Sequence, residues 1–147
     1  METTGQKELA NLEALQAEAV AFTNTLHPHT EHATLVTLSG ELGAGKTSFT
    51  QGMAQALGIT EAVTSPTFVL EKVYALSGKP FAQLIHIDAY RLEGDSSLAP
   101  LNFTELYADP TNLIVLEWPE LVASQLPPVD AHITLSVSGE GRLISYA

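Results

Sequence analysis

The eight residues Gly40-Glu41-Leu42-Gly43-Ala44-Gly45-Lys46-Thr47 constrain this chain more than any other feature. They match the pattern G-x-x-x-x-G-K-[S/T] in full. A short β-branched apolar run, residues 33–38, leads into them. Residues 46–57 have helical composition, and Gly58 is placed to stop that helix. A strand that turns through glycines into a helix is the setting in which this pattern holds phosphate. The glycines let the backbone curl until successive N–H groups point inward. Lys46 can reach the outer phosphates of a nucleotide, and Thr47 can put its hydroxyl on Mg²⁺. The N-terminal end of the helix adds its positive end beneath the phosphates.

The rest of the chain reads as the body of a small α/β domain with a mixed sheet. Residues 5–26 are rich in Ala, Leu and Glu, with Leu9, Leu12, Leu15 and Ala19 near helical spacing, so an amphipathic helix is expected. Residues 67–76 and 81–87 alternate as strands around Ser77-Gly78-Lys79-Pro80 and predict a hairpin. Residues 92–100 read as loop, 102–107 as a short helix and 113–116 as a buried strand ending at Glu117. Residues 119–125 look helical, and Pro127-Pro128 breaks the chain. Residues 133–137 and 142–146 predict two closing strands. A length of 147 residues suits one domain, here a P-loop NTPase-like domain over residues 1–147 with a mixed, mostly parallel sheet flanked by helices.

Charge narrows the partners. Six Lys and Arg oppose 17 Asp and Glu, a formal charge of −11, and the cations are scattered. A chain that grips nucleic acid unaided needs a clustered basic footprint, so contact with RNA is expected only through a partner. There is no Cys, which excludes thiolate sites and fits a reducing compartment. No apolar run approaches the ~20 residues of a membrane helix. The polar N-terminus lacks the basic start and apolar core of a signal peptide. A cytoplasmic protein is expected. His27, His29 and His32 straddle a proline in a segment that reads as loop, with no fourth ligand evident, so a solvated loop is expected in place of a metal site.

Two acids follow apolar strands. Asp88 ends Leu84-Ile85-His86-Ile87, and Glu117 ends Leu113-Ile114-Val115-Leu116. Both belong at the carboxyl edge of the sheet, where open α/β folds bind ligands. A P-loop nucleotide needs such a carboxylate to organise Mg²⁺ or water, and spacing leaves the two roles open. Arg91 can touch phosphate or hold Asp88, or form a surface ion pair. Thr64-Ser65-Pro66-Thr67-Phe68 lies where nucleotide switches carry a sensing hydroxyl, although the pattern taken alone reads first as a polar turn before a strand.

Four blocks in order resemble the TsaE family, small bacterial P-loop ATPases required for threonylcarbamoyladenosine formation in tRNA. They are the glycine loop, Ser65-Pro66-Thr67-Phe68, His86-x-Asp88-x-Tyr90-Arg91 and Glu117-Trp118-Pro119-Glu120. The resemblance implies that Glu41, Gly43, Ala44, Gly45, Lys46, Thr47 and Ser48 bind ATP. It implies that Thr47 and Glu117 hold Mg²⁺, and that Lys46, Asp88 and Glu117 form the catalytic set. Thr67 would belong to the switch loop, with Arg91 and Trp118 supporting the site. It further implies TsaD and TsaB type partners. TsaD transfers the threonylcarbamoyl group to the adenosine beside the anticodon, and the ATPase regulates or resets that complex.

Other readings are weaker. A small-molecule kinase usually needs several cations to neutralise two anionic substrates. Outside Lys46 this chain has three lysines and two arginines. No N-K-x-D-type element points to GTP. Intact Lys46, Thr47, Asp88 and Glu117 argue against a scaffold that binds nucleotide without hydrolysing it.

Overall fold

A computed structural model of the chain describes residues 5–41, 43–60, 71–89 and 102–147. Seven strands form one sheet in the order β1-β7-β6-β2-β5-β4-β3. They are β1 (Gly5–Leu9), β2 (Thr34–Ser39), β3 (Glu71–Ala75), β4 (Gln83–Asp88), β5 (Asn112–Glu117), β6 (Ala131–Ser138) and β7 (Gly141–Tyr146). The helices are α1 (Leu12–Thr23), α2 (Lys46–Ala56) and α3 (Phe103–Ala108). The four central strands β6, β2, β5 and β4 run parallel, and β1, β7 and β3 add antiparallel edges. The mixed sheet with helices on both sides is therefore as expected, with its parallel part in the centre.

Period-2 alternation sorts the central strands onto two cores. Val36, Leu38, Leu84, Leu113, Val115, Ile133 and Leu135 pack beneath α1 and α2. Leu35, Ile85, Ile87, Ile114 and Leu116 face the other way, against Phe103 of α3 and Val122. The β2 and β5 strands are apolar on both faces because both faces are covered.

The N-terminal reading needs correction. Residues 5–9 form no helix; they pair antiparallel with β7, from Gly5 opposite Tyr146 to Leu9 opposite Arg142. The helix starts later, where the Asn11 side chain accepts a hydrogen bond from the Ala14 N–H at 2.8 Å. Pairing to a sheet edge overrides a modest local helix preference. Residues 119–125 also differ: they make two 3₁₀ turns, Pro119–Leu121 and Ala123–Gln125. The hairpin is observed as β3 and β4, with Ala75 opposite Gln83. Its expected start at 67–70, and the loop 92–100, lie outside the described residues.

The helices α1 and α2 meet closely at Gly52, which sits inside α2 despite its low helix propensity. A Cβ there would lie 2.6 Å from the Gln16 carbonyl oxygen and 2.7 Å from the Ala19 Cβ. Gly52→Val should therefore lower stability by about 1–3 kcal/mol through forced separation of the two helices. Urea unfolding would show this as a lower midpoint; an unchanged midpoint would contradict the packing described.

Candidate nucleotide site

The strands β2, β5 and β4 end at one edge of the sheet. Their register pairs Leu38 with Glu117 and Asp88 with Glu117. The two carboxylates are thus neighbours at adjacent strand ends, and Leu38 lies two residues before Gly40. Asp88 and Glu117 share the strand face of Leu84 and Val115, the face covered by α2. They are only 4% and 3% exposed.

The glycine loop crosses this edge. Gly40, Gly43 and Gly45 have φ of 150°, 84° and 107°. A Cβ on Gly40 would lie 2.5 Å from the Leu135 carbonyl oxygen, so the loop passes β6 too closely for any other residue. Gly45 caps α2 without a side-chain hydrogen bond, so the first turn offers backbone N–H donors that no capping side chain claims.

Lys46 opens α2 and turns back under the loop, 6% exposed. Its Nζ donates to the Gly40 carbonyl and, at 3.2 Å, to the Glu41 carbonyl. It stands 4.5 Å from the centroid of the Trp118 ring, within cation–π range. Burial pushes the Lys46 ammonium below its usual pKa, while Glu117, Asp88, Glu120 and Glu41, in that order, pull it back up. Desolvation still dominates.

Trp118 follows Glu117 with φ of 61°, a left-handed conformation uncommon for a bulky residue. Its N–H donates to the Leu38 carbonyl at 3.1 Å and so joins the ends of β5 and β2. Glu120 accepts from the Ser39 hydroxyl at 3.3 Å. Buried His86, on β4, contacts Glu117 with Nε2 2.5 Å from Oε2.

Most of the expected residues come together. Lys46 stands against Trp118 and feels the charges of Glu117 and Asp88, which are neighbours at the strand ends. Ala44 is buried, Thr47 and Ser48 sit half-buried in the first turn of α2, and Glu41 and Gly43 are exposed. Thr67 and Arg91 lie outside the described residues. Arg142 was missed. From β7 it donates to the Gly43 carbonyl at 3.2 Å and to the Gly141 carbonyl at 2.9 Å. Its one signal in the sequence is strand parity, since Arg142 alternates with Ile144 on the α1–α2 face. The histidines are elsewhere: His29 pairs with Asp130 at 2.6 Å, and His32 stacks on Tyr107.

These residues suit a nucleotide phosphate and a divalent cation. A Cβ at Gly43 would meet nothing within 4 Å, so the loop has open space there. A buried ammonium and unclaimed helix N–H groups suit an anion. Among the described residues no group of three or more His, Asp or Glu is placed to hold a metal. Mg²⁺ does not need one, since it is usually bound by one or two carboxylates together with substrate phosphates.

The profile of one family, described as "Threonylcarbamoyl adenosine biosynthesis protein TsaE", matches residues 10–144. The chain belongs to the TsaE family. Two relatives named "tRNA threonylcarbamoyladenosine biosynthesis protein TsaE" are each 41% identical to it. The one from Bacillus subtilis aligns over 72% of this chain and 63% of its own length. The one from Treponema pallidum aligns over 76% and 79%. The chain thus spans somewhat under two-thirds of the Bacillus relative. The crystal structure of YdiB from Bacillus subtilis superposes with a TM-score of 0.74 at 29% identity, covering 99% of this chain and 87% of that one. The α/β fold of this TsaE-family chain is accordingly P-loop NTPase-like. Among the described residues no helix is long and apolar enough to cross a membrane.

The lowered Lys46 pKa carries a sign that can be checked. The folded chain disfavours the charged form, so the unfolded chain binds the proton more tightly, and stability rises with pH between the lowered folded value and the ordinary 10.5. Lys46→Met lacks this penalty. Below that window the wild-type chain should be no more stable than Lys46→Met, and it should gain on the variant as pH rises through it. Thermal melts of both proteins from pH 7 to 10.5 test this; a wild-type advantage that shrinks with pH would contradict it.

Proposed function

We propose that this chain is a Mg²⁺-dependent P-loop ATPase, one domain over its 147 residues, that acts in the cytoplasm. Its service is to tRNA threonylcarbamoyladenosine formation, as an accessory to TsaD and TsaB type proteins. It meets tRNA only through that complex, and its ATP hydrolysis regulates or resets the transferase. The single observation that carries the nucleotide part is the buried Lys46 under a glycine loop, facing two carboxylates at neighbouring strand ends. Family membership supports the pathway.

Each residue has a task in this reading. The backbone from Gly43 to Ser48 cradles the phosphates, and Lys46 moves from its carbonyl partners onto the outer phosphate oxygens. When bound, Mg²⁺ supplies positive charge to the outer phosphates; Thr47 and Glu117 would hold it. Asp88 orients the attacking water. Trp118 packs against Lys46 and keeps the strand end in place. Thr67 would sense the bound state and Arg91 would support Asp88. Arg142 is tied to two carbonyls, so it steadies the loop. A rate-raising cation then comes from a partner, and such a cation is worth ~10³–10⁵ in rate.

Two sets of outcomes are expected. Lys46→Ala should abolish tight ATP binding, and with it the thermal stabilisation by ATP of about 2.7 kcal/mol expected at 100 times Kd. Asp88→Ala should keep binding and stop turnover; normal hydrolysis without Asp88 would remove that role. Secondly, the isolated chain should hydrolyse ATP slowly, and a purified TsaB–TsaD pair should raise the rate severalfold. An unchanged rate would overturn the partner reading and leave the nucleotide reading standing.

A further inference from the structure

We propose that His86 is a positioning residue for the metal carboxylate: its Nε2–H fixes one oxygen of Glu117 so that the other stays available to a divalent cation at the loop. The proposal rests on the reading that Glu117 holds Mg²⁺.

The topology makes the contact. In the β4–β5 register, His86 lies opposite Val115 and Asp88 opposite Glu117. His86 and Glu117 are therefore diagonal neighbours on the face beneath α2, within reach of long side chains. The ring is fully buried and Glu117 nearly so, with Nε2 2.5 Å from Oε2. That is a close nitrogen–oxygen contact, and bonds to charged acceptors are the shorter ones. Strand packing on both sides allows the ring little freedom.

The carboxylate needs such a tether. Glu117 carries three rotatable bonds and stands beside Asp88, a second buried carboxylate. Repulsion between them would turn Glu117 away from its neighbour. A donor on Oε2 opposes that. It leaves the charge of Glu117 acting on the loop, where Glu117 pulls on Lys46 more strongly than any other carboxylate. Nδ1 of His86 is buried with no hydrogen-bond partner among the described residues. Among the described residues the ring's polar contact is therefore the one to Glu117. Partners of this kind commonly set metal affinity by 10–100-fold.

The test uses the full chain and reads ATP affinity, with Mg²⁺ and with EDTA, by calorimetry. Wild type, His86→Leu and His86→Gln are compared. Leu fills much of the space and cannot donate, whereas the Gln amide can donate from a similar position. The expected result is that His86→Leu loses about 10–100-fold of the Mg²⁺-dependent gain in affinity and keeps the affinity in EDTA. His86→Gln should recover most of the gain. His86→Met, also without a donor, carries the same comparison if His86→Leu does not fold. A full Mg²⁺-dependent gain in the Leu or Met variant overturns the proposal, as does equal loss in Gln. A wild-type chain whose ATP affinity ignores Mg²⁺ overturns the Glu117 reading itself, an outcome distinct from either.

Discussion

The parallel pairing of β2, β5 and β4 is the constraint on which the site depends. Parallel strands finish at a common edge, and the connections between them must cross over the sheet. One register therefore sets Asp88 beside Glu117 and both beside the end of β2. The chain leaves β2 through the glycine loop, and α2 returns across the same face with Lys46 as its first residue. The chemistry converges because the hydrogen-bond ladder leaves it no other place.

Electrostatics explains what converges there. The chain has few cations, and two of them meet at the loop: Lys46, which belongs to it, and Arg142, which reaches it from β7. Among the described residues neither forms a close ion pair; both donate to backbone carbonyls. Lys46 is held in low-dielectric surroundings, and the nearby carboxylates only partly offset its desolvation. A buried cation of this kind suits an incoming anion. The left-handed backbone at Trp118 is of the same kind, a local strain kept where the site needs it.

Much of this was legible in the sequence because its signals are local. The loop pattern, the apolar strand before it and the helix after it lie within a few dozen residues. Asp88 and Glu117 were visible as acids that end apolar runs. Features set by distant pairing were not legible. The strand β1 exists because β7 offers it an edge, and its Ala- and Leu-rich continuation biased the reading toward helix. Arg142 reaches Gly43 across 99 residues of sequence, and no local pattern announces that. The 3₁₀ turns follow a left-handed Trp118 at the strand exit, a backbone conformation that composition does not record. Thr67 and Arg91 lie outside the described residues.

The most direct test of the account is a crystal structure of this chain with Mg²⁺ and a non-hydrolysable ATP analogue. The account predicts phosphates within the Gly43–Ser48 backbone, Lys46 swung from the Gly40 carbonyl to the outer phosphate, and the metal between Thr47 and Glu117. A nucleotide bound away from the glycine loop, or a metal that bypasses Glu117, would contradict it.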